Sequence, residues 1–124
     1  MKNIKNRNLK PKVSESNIQK AVINFLKVKY PSVIAIAPRN EGKRTFAQTN
    51  YEKAIGMLAG AADLILFMPG GRTLHLELKT ERGRLSENQK RMRDRLAALG
   101  HDYRVAYGFE DAVRVVESEY RNVS

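Results

Sequence analysis

The sequence predicts an α/β domain: a mixed central β-sheet of about four strands, flanked by helices. Three observations lead there. Capped amphipathic patterns alternate with short apolar runs, as they do when helices pack on a sheet. Pro69-Gly70-Gly71 separates two runs rich in Leu, Ile and Phe, which makes those strands an antiparallel hairpin. The last strand follows a helix, so a right-handed crossover sets it parallel to its neighbour. At 124 residues the chain has room for one modest core and not for two.

Ser14 or Ser16 caps the first helix, with Ser16-x-x-Gln19 matching a capping box and Ile18, Ala21, Val22, Phe25 and Leu26 at helical spacing up to Tyr30-Pro31. Residues 33–37 form a short strand ended by Pro38. After a polar loop, Ala54, Ile55, Leu58 and Ala59 mark a short helix over about 51–58, with Gly60 as the glycine that ends it. The hairpin of residues 62–79 follows. Ser86 then caps a helix with Gln89 at its third position, and Met92, Leu96 and Leu99 continue the stripe that Gln89 begins. Gly100 stops it, residues 103–107 alternate as a strand, and Ala112, Val115, Val116 and Glu119-Tyr120 form a closing helix. Residues 1–13 are a basic arm, with five Lys and Arg and no acid, and residues 14–124 form the domain proper.

Charge narrows the partner. Twenty-three Lys and Arg against 13 Asp and Glu give +10 and a pI near 10.1, which points to a polyanion, nucleic acid above all. No apolar run approaches the ~20 residues of a membrane span, so no membrane partner is expected. The chain has no Cys, which excludes disulfides and thiolate zinc sites and fits a cytoplasmic protein.

The chemistry concentrates in the hairpin. If its strands pair symmetrically about Gly70, Asp63 faces Glu77, and period two puts His75, Glu77 and Lys79 on one face. Two carboxylates that close require a positive charge between them, and oxygen-only ligands suit a hard divalent cation, Mg²⁺ or Mn²⁺. A one-residue bulge would instead send the acids to opposite faces. Glu15 projects from the first turn of the first helix on the side of its apolar stripe, where the alternative reading is an ordinary first-turn acid. His75 reads as a packed or exposed side chain first and a site residue second.

Glu15, Gly60-Ala61-Ala62-Asp63-Leu64, Leu76-Glu77-Leu78-Lys79, Gly83-Arg84-Leu85-Ser86-x-x-Gln89 and Leu99-Gly100, in this element order, resemble the PD-(D/E)xK nuclease superfamily. Within it the likeness is to the virus-type replication-repair nuclease (VRR-NUC) family, in its short stand-alone form. It covers about residues 14–116. Ala62 departs from the proline that usually precedes the family's aspartate. Glu41-Gly42-Lys43 is a second Glu-x-Lys, set aside because it lies in a polar loop without strand neighbours.

The resemblance implies a restriction-endonuclease-like αβββαβ core and a metal-dependent, structure-specific DNA endonuclease of repair or recombination, working as a homodimer on four-way Holliday junctions. It implies that Asp63, Glu77 and the backbone carbonyl of Leu78 bind Mg²⁺ or Mn²⁺, with Glu15 holding a second ion or its waters. Lys79 would orient the attacking water or stabilise phosphate charge, and Gln89 would steady Lys79 or a metal-bound water. Arg39, Lys43, Arg44, Arg82, Arg84, Lys90 and Arg91 would contact the DNA backbone. The alternatives are a nuclease of flaps or other branched DNA, and a non-catalytic basic DNA-binding module on the same fold. Gln89 has a plainer role open to it as well, that of a cap.

Overall fold

A computed structural model describes residues 13–38, 45–56 and 59–122. Residues 1–12 of the expected arm, the second Glu-x-Lys with Arg39, Lys43 and Arg44, and Leu58 lie outside the described residues.

The element order is α1 (Glu15–Lys29), β1 (Ile34–Ile36), α2 (Phe46–Ala54), β2 (Leu64–Met68), β3 (Arg72–Lys79), α3 (Glu87–Ala98), β4 (Asp102–Tyr107) and α4 (Phe109–Arg121). The strands form one sheet in the order β1-β2-β3-β4. The first two pairings are antiparallel and β3 with β4 is parallel, so the sheet is mixed, as expected. Met68 pairs Arg72 and the ladder runs without a bulge to Leu64 opposite Leu76, the symmetric register about Gly70. Gly70 and Gly71 take φ of +77° and +75°, which a side chain would resist, and so let a three-residue turn join the strands.

Alternation along the strands divides the sheet into two faces. Leu64, Leu66, Met68, Leu74, Leu76, Leu78 and Ala106 point to one side and are buried against Ile18, Val22 and Leu26 of α1 and Ala112, Val115 and Val116 of α4. Truncating any of these leucines to Ala would cost about 2–5 kcal/mol. The other face carries Ile65, Phe67, His75, Glu77 and Lys79 by the same alternation, and α3 lies against β4, with Met92 buried.

Three local expectations need correction. The first helix is capped by Ser14, whose hydroxyl accepts from the Asn17 N–H at 3.1 Å, so Ser16 lies inside the first turn and its match to a capping box is accidental. The second helix is α2, five residues earlier than expected. Its start is a capping box of Thr45 and Gln48, a Thr-x-x-Gln signature that outranks the weak apolar stripe further on. Gly60 therefore does not end that helix. It sits at φ +90° with a Cβ position only 2.3 Å from the Asn88 carbonyl oxygen, so glycine there permits a loop to pass against the start of α3.

A charged cluster ties α4 to the sheet. Glu119 is 6% exposed; one carboxylate oxygen accepts from Arg72 and the other from Arg104 at 2.5 Å, while Arg72 also reaches Asp102 at 2.8 Å. Its helical spacing from Ala112, Val115 and Val116 puts it on their buried stripe, but nothing local in the sequence names its arginine partners. Among the described residues no helix is long and apolar enough to cross a membrane.

Candidate active site

The site forms where four chain segments meet at one end of the sheet. Ser14 fixes the start of α1 and so places Glu15 in its first turn, where the free N–H groups favour a carboxylate. Asp63 lies one residue before β2. Its Oδ2 accepts from the Leu78 N–H at 2.8 Å, so β3 itself anchors the aspartate. Glu77 and Lys79 come from the last turn of the β3 pleat, 1% and 8% exposed. Gln89 comes from the start of α3.

These side chains converge. Carboxylate oxygens of Glu15, Asp63 and Glu77 all lie within 4.8 Å of one another. They line a cavity of about 310 Å³ with Ser16, Gln19, Ala61 and Gln89. Lys79 Nζ is 3.6 Å from Glu77 Oε2. Lys79 accepts from the Gly108 N–H through its carbonyl at 2.8 Å, toward β4. Leu78, one residue earlier, turns its peptide groups the opposite way, toward Asp63. Gly83 packs on the Lys79 stem, with a Cβ position 3.1 Å from the Lys79 Cβ, so the loop after β3 closes directly over the lysine.

Gln89 serves at both ends of its amide. The oxygen accepts from the Ser86 N–H at 2.8 Å, completing the capping box of α3, and the nitrogen donates to Glu77 Oε2 at 2.8 Å. Its hydrogen-bond partner in the site is therefore Glu77, where Lys79 or a metal-bound water was expected. One side chain thus caps α3 and reaches Glu77.

Glu77 is the electrostatic focus. Burial first, then the neighbouring Asp63 charge, push its carboxyl up to about 8, against the opposing pull of Lys79. Its Oε1 is buried and has no hydrogen-bond partner. An orphan acceptor among three clustered carboxylates, with the acid held above its ordinary range, and an all-oxygen donor set fit a hard divalent cation. The Tyr103 hydroxyl is also buried without a partner, and burial followed by the Glu77 and Asp63 charges raises it.

The remaining expected residues fall outside the cluster. His75 is not in the cavity lining; its ring meets His101 edge-on at 6.0 Å, and burial, then the His101 charge, lower it. Arg82, Arg84, Lys90 and Arg91 are exposed on the loop and helix that follow β3. Lys90 pairs with Glu87 at 3.2 Å and Arg91 donates to Asn88 at 2.5 Å, both within α3. Ser16, Gln19 and Ala61 line the cavity without having been expected there; correct placement of the α1 cap at Ser14 would have turned Ser16 and Gln19 toward it.

Comparison with known proteins places this geometry. The profile of the VRR-NUC domain family matches residues 8–110. A solved structure described as a VRR-NUC domain protein is 22% identical, with 94% of this chain and 93% of that one covered and a TM-score of 0.72. A second, described as a VRR-NUC domain, is 19% identical over 83% of this chain and 94% of that one, with a TM-score of 0.60. A search of curated proteins finds no match.

Proposed function

Starting from the fact that the chain belongs to the VRR-NUC family, a nuclease family of the virus-type replication-repair kind, we propose that it is a divalent-metal-dependent, structure-specific DNA endonuclease that acts as a homodimer on four-way junctions. The observation that carries the catalytic reading is the cluster of Glu15, Asp63 and Glu77 with Lys79 beside it.

Phosphodiester hydrolysis requires a deprotonated water in line with the scissile bond, charge against the pentacoordinate phosphorus and help for the leaving oxygen. Asp63, Glu77 and the Leu78 carbonyl would hold Mg²⁺ or Mn²⁺, with Glu15 at a second ion or its waters. When bound, the cation supplies positive charge to the phosphate and acidifies water. Lys79 orients the attacking water or neutralises phosphate charge from 3.6 Å beyond Glu77. Gln89 fixes the Glu77 carboxylate through its 2.8 Å bond, and so acts as a positioning residue. Arg82, Arg84, Lys90 and Arg91, exposed on the loop and helix that follow β3, would serve as backbone contacts that read shape and not base sequence. Arg39, Lys43 and Arg44 join them by charge and chain position.

Pairing of two copies is supported by the uncovered apolar side chains. Ile34, Ile36 and Phe67 are 63%, 46% and 45% exposed on one face of the sheet, a composition suited to a second subunit. The test incubates the protein with four-way junction, flap and linear duplex in Mg²⁺, Mn²⁺ and EDTA, beside Glu77→Ala. Symmetric nicks near the crossover, lost in EDTA and in the variant, are expected. Equal cutting in EDTA or by the variant would refute the mechanism. Cutting of flaps alone would replace the junction substrate, and binding without cutting in any metal would leave a DNA-binding module.

A further inference from the structure

The acidic cavity does not stand alone. A second groove of about 390 Å³ is lined by Ser16, Gln19, Lys20, Ile23 and Asn24, and shares Ser16 and Gln19 with the acidic cavity. A third, of about 140 Å³, shares Ile23 with the second and is lined further along by Leu26, Lys27, Pro31, Val33 and Ala35. The three hollows thus run end to end along one side of α1, starting at the carboxylates.

The chemistry of this stripe changes as it leaves the cluster. Glu15 is its last acid; beyond it come a hydroxyl, two amides and two ammonium groups, at Ser16, Gln19, Asn24, Lys20 and Lys27. Spacings of three and four residues keep them on one side of the helix. Among the described residues, none of these five side chains has a hydrogen-bond or ion-pair partner, so each has its donors free for a ligand. The helix is held rigid from behind by Ile18 and Val22, which are 3% and 1% exposed. From Ser16 to Lys27 a helix rises about 16 Å, at ~1.5 Å per residue.

We propose that this side of α1 is a track for the sugar-phosphate backbone of one nucleic-acid strand, leading it to the acidic cluster with Lys20 and Lys27 as its phosphate contacts. The proposal rests on the nuclease reading for its direction, and adds to it a binding surface on a helix otherwise assigned only Glu15. Donor-rich, acid-free side chains are the ones that position phosphate backbone, and they carry no base preference.

The test is binding in EDTA, which needs no cleavage. Fluorescence anisotropy with labelled 20-nucleotide single strands of differing sequence compares Lys20→Ala/Lys27→Ala with Arg114→Ala/Arg121→Ala, which removes the same charge from exposed positions on α4. The α1 variant is expected to bind at least tenfold more weakly across all sequences, and to lower the salt slope by about 1.4, two contacts at ~0.7 each. Because the protein has no cysteine, Asn24→Cys and Arg114→Cys accept a photo-crosslinker at single sites, and crosslinking to the strand is expected from position 24 only. Equal weakening by the two charge pairs, or equal crosslinking from both positions, would overturn the track. A wild-type protein that cuts DNA while showing that equality keeps the nuclease reading and loses the track; one that never cuts but shows the predicted asymmetry does the reverse.

Discussion

Glu77→Gln, studied without divalent metal, isolates the cost of keeping a carboxylate in a buried site among other acids. The folded protein holds this carboxyl at about 8, against 4.5 for an ordinary glutamate. Between those values the folded state binds the proton more tightly than the unfolded one, so stability from this group is present below pH 4.5 and is lost as pH rises through 8. The full span amounts to ~5 kcal/mol at 1.36 kcal/mol per pKa unit, of which about 4 kcal/mol is lost between pH 5 and pH 8.5. That is a large share of the ~5–15 kcal/mol that stabilises a domain. Glutamine keeps the shape and still offers Gln89 an acceptor, but it does not titrate.

The assay is urea unfolding in EDTA at both pH values, for wild type and variant. The wild-type midpoint should fall relative to the variant's by roughly 1.3–4 M from pH 5 to pH 8.5, taking ~1–3 kcal/mol per molar urea. Any loss of packing in the variant that does not depend on pH cancels in this difference. Adding Mg²⁺ or Mn²⁺ should restore the wild type at pH 8.5, because binding to the folded state stabilises it and displaces the proton, and should leave the variant unmoved. Parallel pH profiles for the two proteins would refute the reasoning.

Gly60→Ala should destabilise by about 2–4 kcal/mol in urea unfolding, since it combines a left-handed backbone with a Cβ 2.3 Å from the Asn88 carbonyl. It should also slow cleavage, because that contact spaces the Asp63 loop from the helix carrying Gln89. Glu119→Ala leaves Arg72 and Arg104 without their shared partner; both are partly exposed, so a loss of about 2–3 kcal/mol is expected, read as a lowered thermal midpoint. Phe67→Glu puts a charge on the open sheet face and should leave a monomer by light scattering if that face joins two copies, with unfolding midpoints little changed.

The sheet and its faces were legible because the hairpin announced itself twice, by its Pro-Gly-Gly turn and by leucines at every second position on both sides. Once position 68 faced 72, the approach of Asp63 to Glu77 followed, although the ladder closes at Leu64 and the aspartate bonds to Leu78 instead of lying squarely opposite. The second helix lies earlier than its apolar stripe at Ala54 and Ile55 suggests because the Thr45-x-x-Gln48 box sets its start, and no residue of α2 is buried to produce a stripe. The arginine partners of Glu119 and the close approach at Gly60 are illegible for a different reason. Each contact joins residues 15 to 47 apart in the chain, and the stripe that Glu119 shares with Ala112, Val115 and Val116 does not announce what it meets.

The double use of Gln89 sets a narrow limit on what can stand at that position. The cap of α3 needs an acceptor at the reach of a glutamyl side chain, and Glu77 needs a donor at the same reach. Glutamate keeps the first and, when ionised, sets a fourth acid against the cluster; lysine keeps the second and uncaps the helix; leucine keeps neither. Only the amide carries both groups on one planar unit. A change there is therefore heard in two places at once: in how readily α3 begins to coil, and in which way the buried carboxylate points. A family-wide survey of this position should accordingly find little besides glutamine wherever Ser86 and Glu77 are both retained.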